Sequence, residues 1–421
     1  MKGFCFRYLL TVCLLVVFSG SMLAQSIIKN GVSYEYAVTT AVPFLRIAPD
    51  ARMSGMGDAG IALQPDSISD ASACYLNPAK LAYNTKPLGI SISYTPWLKQ
   101  LVNDIYLADI SGYYKINKLQ AVSMSLRYFS LGQIQFTNQN GESTGQFRPN
   151  EFALDAHYSR ILAKGFSAAI GLRFIYSNLA TGQSVNNVPI NAGKAGAADI
   201  AFYYNHPINV GGLKSNIAFG LNLSNLGSKI SYTSSVEKDY IPMNMGWGAS
   251  WQLNLDKHNM INVVVDANKL LVPTPNTIID TATGIYAYKE KSVPEAIISS
   301  FYDAPLKTEW DEVNWSFGLE YWYDKLFAVR AGYFYEAPGV GDRQFFTAGV
   351  GLRYSVFGLD FSYLIPSSNI RNPLDNTLQF TLVFNFKQLG KDKSKTPSTE
   401  PVDNVKTSML KSYNTNSAFP F

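Results

Sequence analysis

The chain has 421 residues, of which 47% are hydrophobic, 14% aromatic and only 16% charged, with 31 glycines. Soluble chains carry charge nearer ~25%, and outside the N-terminal leader no stretch reaches the ~20 apolar residues of a membrane helix. Setting aside Lys2 and Arg7 of the leader lowers the 35 basic residues to 33 against 31 acidic ones, a net of +2 that gives no footing for nucleic acid.

The leader comes first. Lys2 and Arg7 supply a positive start, Tyr8 to Phe18 an apolar run, and Ser19, Gly20, Ser21 and Ala24 the small residues that follow. This is the layout of a secretory signal peptide over residues 1–24, too short to span a bilayer. Cleavage after Ala24 would leave Gln25 first, although Met22 is not the usual small residue at its position. No cysteine follows the apolar run, which argues against a lipid anchor. Cys5 and Cys13 leave with the leader, and Cys74 alone can form neither an internal disulfide nor a cysteine-based zinc site.

Residues 25–86 are rich in Gly, Ala, Pro and Asp and are expected to fold in part as a plug. Gly55, Gly57 and Gly60 match G-x-G-x-x-G, but Pro49 lies upstream and Pro65 downstream, with no strand–turn–helix frame for a dinucleotide. Close backbone packing is the expected use of these glycines.

From Leu88 the chain alternates with period two. Val122, Met124, Leu126 and Tyr128 oppose Ala121, Ser123, Ser125 and Arg127; Leu378, Phe380, Leu382, Phe384 and Phe386 oppose Gln379, Thr381, Val383 and Asn385. Such segments suit tilted membrane-crossing strands. They number fourteen, at roughly 87–96, 103–114, 119–131, 149–160, 165–178, 195–205, 215–226, 244–255, 259–268, 312–323, 325–336, 343–354, 356–365 and 376–386. Short links (115–118, 161–164, 256–258, 324) alternate with long ones (132–148, 179–194, 227–243, 269–311), as periplasmic turns and outer loops do. An even count returns the C-terminus to the periplasmic side, where the N-terminus is also expected.

The polar faces carry Arg127, Asp155, His157, Arg173, Glu320, Arg330, Arg353 and Asp360. Turning the four arginines to lipid would cost roughly 2–4 kcal/mol each, which together matches a typical domain's whole stability. The predicted fold is therefore an all-β, fourteen-stranded antiparallel transmembrane barrel over 87–386, apolar outward and polar inward.

Three outer segments are candidate partner- or cargo-binding loops. Val185, Val188, Pro189 and Ile190 form one apolar tip; Tyr240, Ile241, Pro242 and Met243 form another, with folding inward over the lumen as the alternative for both. In the third, Ser292 is placed to cap a helix over Val293–Asp303, with Pro294 in its first turn and Ile297, Ile298 and Phe301 on one face, expected to pack against the barrel rim, with partner binding as the alternative. The tail, 387–421, has six lysines against three acids and the composition of a solvated periplasmic extension. His157, His206 and His258 lack metal-ligand spacing, and no G-x-S-x-G nucleophile motif is present. No cofactor, metal or catalytic residue is expected; Asp155, His157 and Arg173 are expected to share a hydrogen-bonded lumenal network.

The strings TTAVPFLRIAPDARMSGMGDAG at Thr39–Gly60, YTPWLKQLVND at Tyr94–Asp104, FSLGQIQF at Phe129–Phe136, FRPNEFAL at Phe147–Leu154, GLEYWYDKLFAVRAGYFY at Gly318–Tyr335 and FGLDFSYL at Phe357–Leu364 resemble the PorV (LptO) family of the Bacteroidetes type IX secretion system. The resemblance implies a FadL-like barrel with a lumenal hatch, in which Asn77, Pro78 and Ala79 correspond to the NPA element. It further implies a shuttle that takes the C-terminal domain of secreted cargo at a large SprA/Sov-like translocon barrel. Cargo then passes to a PorU-like sortase complex that attaches it to lipopolysaccharide. Two other functions compete: a FadL-like transporter of hydrophobic solutes, and an enzyme acting on lipid A.

Overall fold

The computed structural model describes residues 38–65, 69–97, 104–137, 140–185, 188–233, 238–276, 278–281, 284–367 and 377–386. The expected leader and tail lie outside them. Fourteen antiparallel strands close into one barrel: β1 (Leu88–Pro96), β2 (Ile105–Lys115), β3 (Gln120–Leu131), β4 (Asn150–Ala163), β5 (Phe166–Asn178), β6 (Gly193–Val210), β7 (Leu213–Gly227), β8 (Asn244–Asn254), β9 (Asn259–Leu270), β10 (Asn314–Tyr323), β11 (Phe327–Tyr335), β12 (Gln344–Tyr354), β13 (Phe357–Pro366) and β14 (Leu378–Phe386). Each pairs with its sequence neighbour, and β1 closes on β14 with Ile90 opposite Phe384.

The strand count and most boundaries agree with the period-two reading. The largest departure is β6, expected to stop at 205 but running through Pro207 to Val210. Its pairing with β5 ends at Tyr204 opposite Phe166, while pairing with β7 continues to Val210 opposite Leu213. The last bond on the β5 side is from Asn205 N to Gly165 O (2.7 Å), so the N–H that Pro207 lacks, two residues on, removes no ladder bond.

The alternation sorts side chains as lipid requires. On β3, Ser123, Ser125 and Arg127 are buried while Val122, Met124 and Leu126 face outward. Outward apolar residues such as Leu172, 71% exposed, have only lipid to cover them. Tyr94, Tyr106 and Tyr128 on β1–β3 line up at one rim with ring centroids 5.5 and 6.3 Å apart, an arc of the aromatic girdle that anchors a barrel at an interface.

The described N-terminal segment runs through the lumen from end to end. Phe44 stacks on Phe129, near the end of β3 that leads into a long connection, at 6.2 Å. Further along, the Gly60 and Ile61 nitrogens donate to Asp266 midway along β9 (2.6 and 2.8 Å), and the Ala82 nitrogen donates to Ser159 near the short-turn end of β4 (3.0 Å). The chain leaves through Lys86 and enters β1 at Leu88. The first described residues lie at the long-connection end, while the N-terminus itself, expected beside the short turns, lies outside the described residues. Counting strands fixes where the C-terminal strand ends, but a segment that fills the lumen can begin at either mouth.

Candidate functional site

Two buried charge networks tie the lumenal segment and the wall together. The Asp50 carboxylate accepts from the Arg52 and Met53 nitrogens (2.6 and 2.9 Å) and turns the chain so that Arg52 points across the lumen. Arg52 then donates two 2.9 Å hydrogen bonds to Glu320. Arg330 also donates to Glu320 (2.9 Å) and to Asp360 (2.8 Å), which in turn accepts from Arg353 (2.7 Å). Glu320 and Arg330 are in register across β10 and β11. In the second network Arg173 donates to Asp155, to Asp199 (3.0 Å) and to Asn225, while His157 Nε2 lies 3.2 Å from Asp199. The expected Asp155–His157–Arg173 cluster is thus present, joined by Asp199 and Asn225. Ser123 Oγ lies 3.4 Å from His157 Nδ1, a long contact, and Asp199 is already committed to Arg173. The group reads as structural.

Between the charges the segment sits on bare backbone. Gly318 and Gly332 pair across β10 and β11, and a Cβ on Gly332 would fall on the Met56–Gly57 peptide. Gly57 itself has φ of +68°, a left-handed conformation that glycine adopts without strain. Gly55 approaches Gly349, and the Gly60 nitrogen donates to Asp266. Gly55 and Gly57 therefore pack backbone against wall, while the bare side of Gly60 faces Leu76 within the segment. Asn77 Nδ2 donates to the Ile61 and Phe202 carbonyls (3.1 and 3.0 Å), while its Oδ1 accepts from Ala79 N (3.0 Å), with Pro78 opening a 3-10 turn.

The long-connection mouth is closed by an apolar lid. Val42, Phe44 and Leu45 pack with Ile230, Tyr240, Ile241, Met243 and Leu271 in one buried cluster, flanked by Val293 and Ile297. Ala41 N donates to Tyr240 O (2.9 Å), and the Tyr240 hydroxyl to Lys291 O (2.7 Å). Tyr240, Ile241, Pro242 and Met243, considered above as an outer tip, have buried side chains; their inward reading is the one observed. The helix spans Val293–Ser299, shorter than the predicted Val293–Asp303, with the Ser292 nitrogen donating to Glu295 (3.4 Å). Its three candidates diverge, because Ile297 turns into the lid while Ile298 and Phe301 are 61% and 45% exposed. In the remaining loop Val185 and Val188 pair in a two-residue hairpin; Pro189 is exposed, Val188 and Ile190 are half-buried, and the Val185 side chain lies outside the described set.

A short helix, Leu306–Asp311, was not anticipated. Leu306 and Trp310, one turn apart, are 75% and 64% exposed, while Glu309 on the other face is buried and accepts from Lys269 (2.9 Å). The apolar i, i+4 pair was the available signal, hidden within a connection with few other helical cues.

Under the lid lies a chamber of about 100 Å³ with a mixed lining, in which Asn222, Asn268, Asn314, Arg46 and Arg343 stand among apolar residues such as Leu45, Ile61 and Phe334. Burial, and then the neighbouring Arg343, lower Arg46 to about 10. Glu336 is pushed up by burial, but the hydrogen bond and charge of Arg343 outweigh this and hold it below the usual carboxylate range. Among the described residues no group of three His, Cys, Asp or Glu is placed to hold a metal ion.

A closed barrel with an apolar exterior and a charged interior is an integral outer-membrane protein. The family model described as "Type IX secretion system protein PorV" matches residues 31–277, more than half of the chain, and the chain belongs to that family. No curated protein sequence matches it. Similar solved structures include a Pseudomonas aeruginosa FadL homologue (11% identity, 84% of this chain and 100% of that chain, TM-score 0.41). The Ralstonia pickettii toluene transporter TbuX (9%, 79% and 96%, TM-score 0.42) and the Pseudomonas putida toluene transporter TodX (9%, 84% and 100%, TM-score 0.43) are also similar.

Proposed function

We propose that this barrel is a shuttle of type IX secretion. It receives the C-terminal domain of secreted cargo at the translocon barrel and presents it to a sortase complex at the cell surface. The supporting observation is the PorV match over residues 31–277 on a barrel whose lumen is closed while its long connections carry uncovered apolar side chains. Ile298, Phe301, Tyr302, Leu306 and Trp310 are all exposed within the connection between β9 and β10. With long connections outward, as in other barrels, that surface and the entry of the lumenal segment both lie on the outside. Uncovered aromatic clusters of this kind favour a protein partner.

The transporter reading fits less well. A hydrophobic solute needs an apolar cavity of ~300 Å³ or more, whereas the chamber here is about 100 Å³ and has Arg46, Arg173, Arg343 and several asparagines among its lining residues. A mild-detergent pull-down from the native outer membrane with mass spectrometry tests the choice. Co-recovery of a giant translocon barrel and of uncleaved cargo is expected. Recovery of the barrel alone with bound apolar solute would overturn the shuttle. Leu306→Ser with Trp310→Ser should reduce cargo recovery without changing barrel assembly.

A further inference from the structure

We propose that the chamber beneath the lid is a binding site for a small hydroxylated carboxylate. Its lining includes a row of amides set by strand register. Asn222 lies opposite Gly246, Gly246 opposite Asn268, and Asn268 opposite Asn314, so the row crosses β7 to β10 at one level. Asn268 and Asn314 stand one strand spacing apart, ~4.8 Å, and Asn222 two from Asn268, with the Ile61 side chain over Gly246 between them. Asn222 is 4% exposed, lines the chamber, and has a side-chain oxygen with no partner. Its amide can face either way, so it offers a donor or an acceptor to a hydroxyl.

The arginines supply the charge. Arg343 takes both oxygens of Glu336, at 2.6 and 3.0 Å, and leaves Arg46 at 3.6 Å from that carboxylate. Arg46 is therefore ion-paired with Glu336 through one terminal nitrogen at long range, which leaves its other N–H groups for a carboxylate in the chamber it lines. Arg173 also lines the chamber but is engaged by Asp155, Asp199 and Asn225. Asp58 lines it too and bounds the ligand to one anionic group. Asn268 Oδ1 already accepts from Asn244 Nδ2 (3.0 Å), so the open atom of the row is Asn222 Oδ1, which an apolar solute or a bare inorganic anion would leave without a partner. The volume, about 100 Å³, admits several waters at the ~10–15 Å³ that each needs on this measure, room enough for a three-carbon hydroxy acid. Arg46 and Arg343 are 26% and 35% exposed, so the rim meets solvent. The site is independent of the secretion reading.

The test is calorimetric titration of the purified full-length barrel in detergent with sodium glycerate, against sodium chloride at equal ionic strength, and separately with inorganic phosphate. Saturable one-site binding of glycerate is expected, weakened about tenfold or more by Arg46→Gln, as loss of a charged hydrogen-bonding partner implies. Asn222→Ala should weaken glycerate but not phosphate, and heat-modifiable gel mobility verifies that each variant is folded. Should Arg46→Gln fail to fold, the Asn222→Ala comparison decides alone. Absence of saturable glycerate heat would overturn the proposal, as would equal affinity in wild type and the folded variants, or phosphate binding as tightly as glycerate.

Discussion

The two ends of the described lumenal segment are held by different forces. At the long-connection mouth, Val42, Phe44 and Leu45 are held mainly by apolar burial against the lid. Deeper in the lumen, Arg52 is shared with Glu320, Gly60 and Ile61 are fixed to Asp266, and the chain lies on wall glycines. Lifting the first exposes hydrocarbon, a cost graded with area. Dragging the second leaves charges in an enclosed space without partners, which is steep. The mouth is therefore the end that can open while the middle stays seated.

The sharpest way to break that contrast is at Glu320, which accepts from both Arg52 and Arg330. Glu320→Ala leaves two buried guanidinium groups short of a partner and should cost about 3–5 kcal/mol. Urea unfolding followed by heat-modifiable mobility measures it, and limited proteolysis should cut the lumenal segment. A variant as stable as wild type would show that the ion pairs do not hold the segment. Gly332→Ala drives a methyl into the Met56–Gly57 peptide, backbone that cannot swing aside, and should cost about 3 kcal/mol, the upper part of the overpacking range. Protection is then lost at Gly57 first, with the lid unchanged. Ile241→Ala in the lid should cost about 2 kcal/mol, the low end for such truncations because loops can collapse around the gap. Hydrogen exchange should quicken at Ala41 and Met243 while residues 55–64 keep their protection; equal quickening in both would erase the distinction.

Much of the wall could be read from the sequence because lipid outside and polar groups inside impose a period of two on every strand. The strand edges near Pro207 were less legible, since only pairing shows that β6 outlasts β5. The lumen was harder. Arg330 and Asp360 announce inward charge, but Arg52, some 268 residues before Glu320, carries no local mark of that partnership. Tyr240–Met243 and the Ile297/Ile298 pair show the same limit. An apolar loop residue reads alike whether it turns into a lid or out to a partner, and here adjacent isoleucines do one each. The glycines at 55, 57 and 60 were legible as close packing, though not the strands they meet.

The smallest effect lies at the other mouth, where two short turns touch. His258 Nδ1 contacts Asp324 Oδ1 across the turns that follow β8 and β10. The hydrogen bond to Asp324, and then its charge, raise the His258 pKa above the usual histidine value. A group whose folded pKa is raised stabilises the structure fully below its unfolded pKa, ~6.5 for histidine. That stabilisation is lost as pH climbs through the higher folded value. Both side chains are solvated, so barrel unfolding should hardly move. The local readout should: imidazole proton shifts are expected to titrate above the midpoint of a free histidine, and Asp324→Asn should return them to it. Unchanged titration in that variant would remove the pair from the short-turn mouth. The lid and the Glu320 latch should be indifferent to either result, because neither shares a partner with these turns.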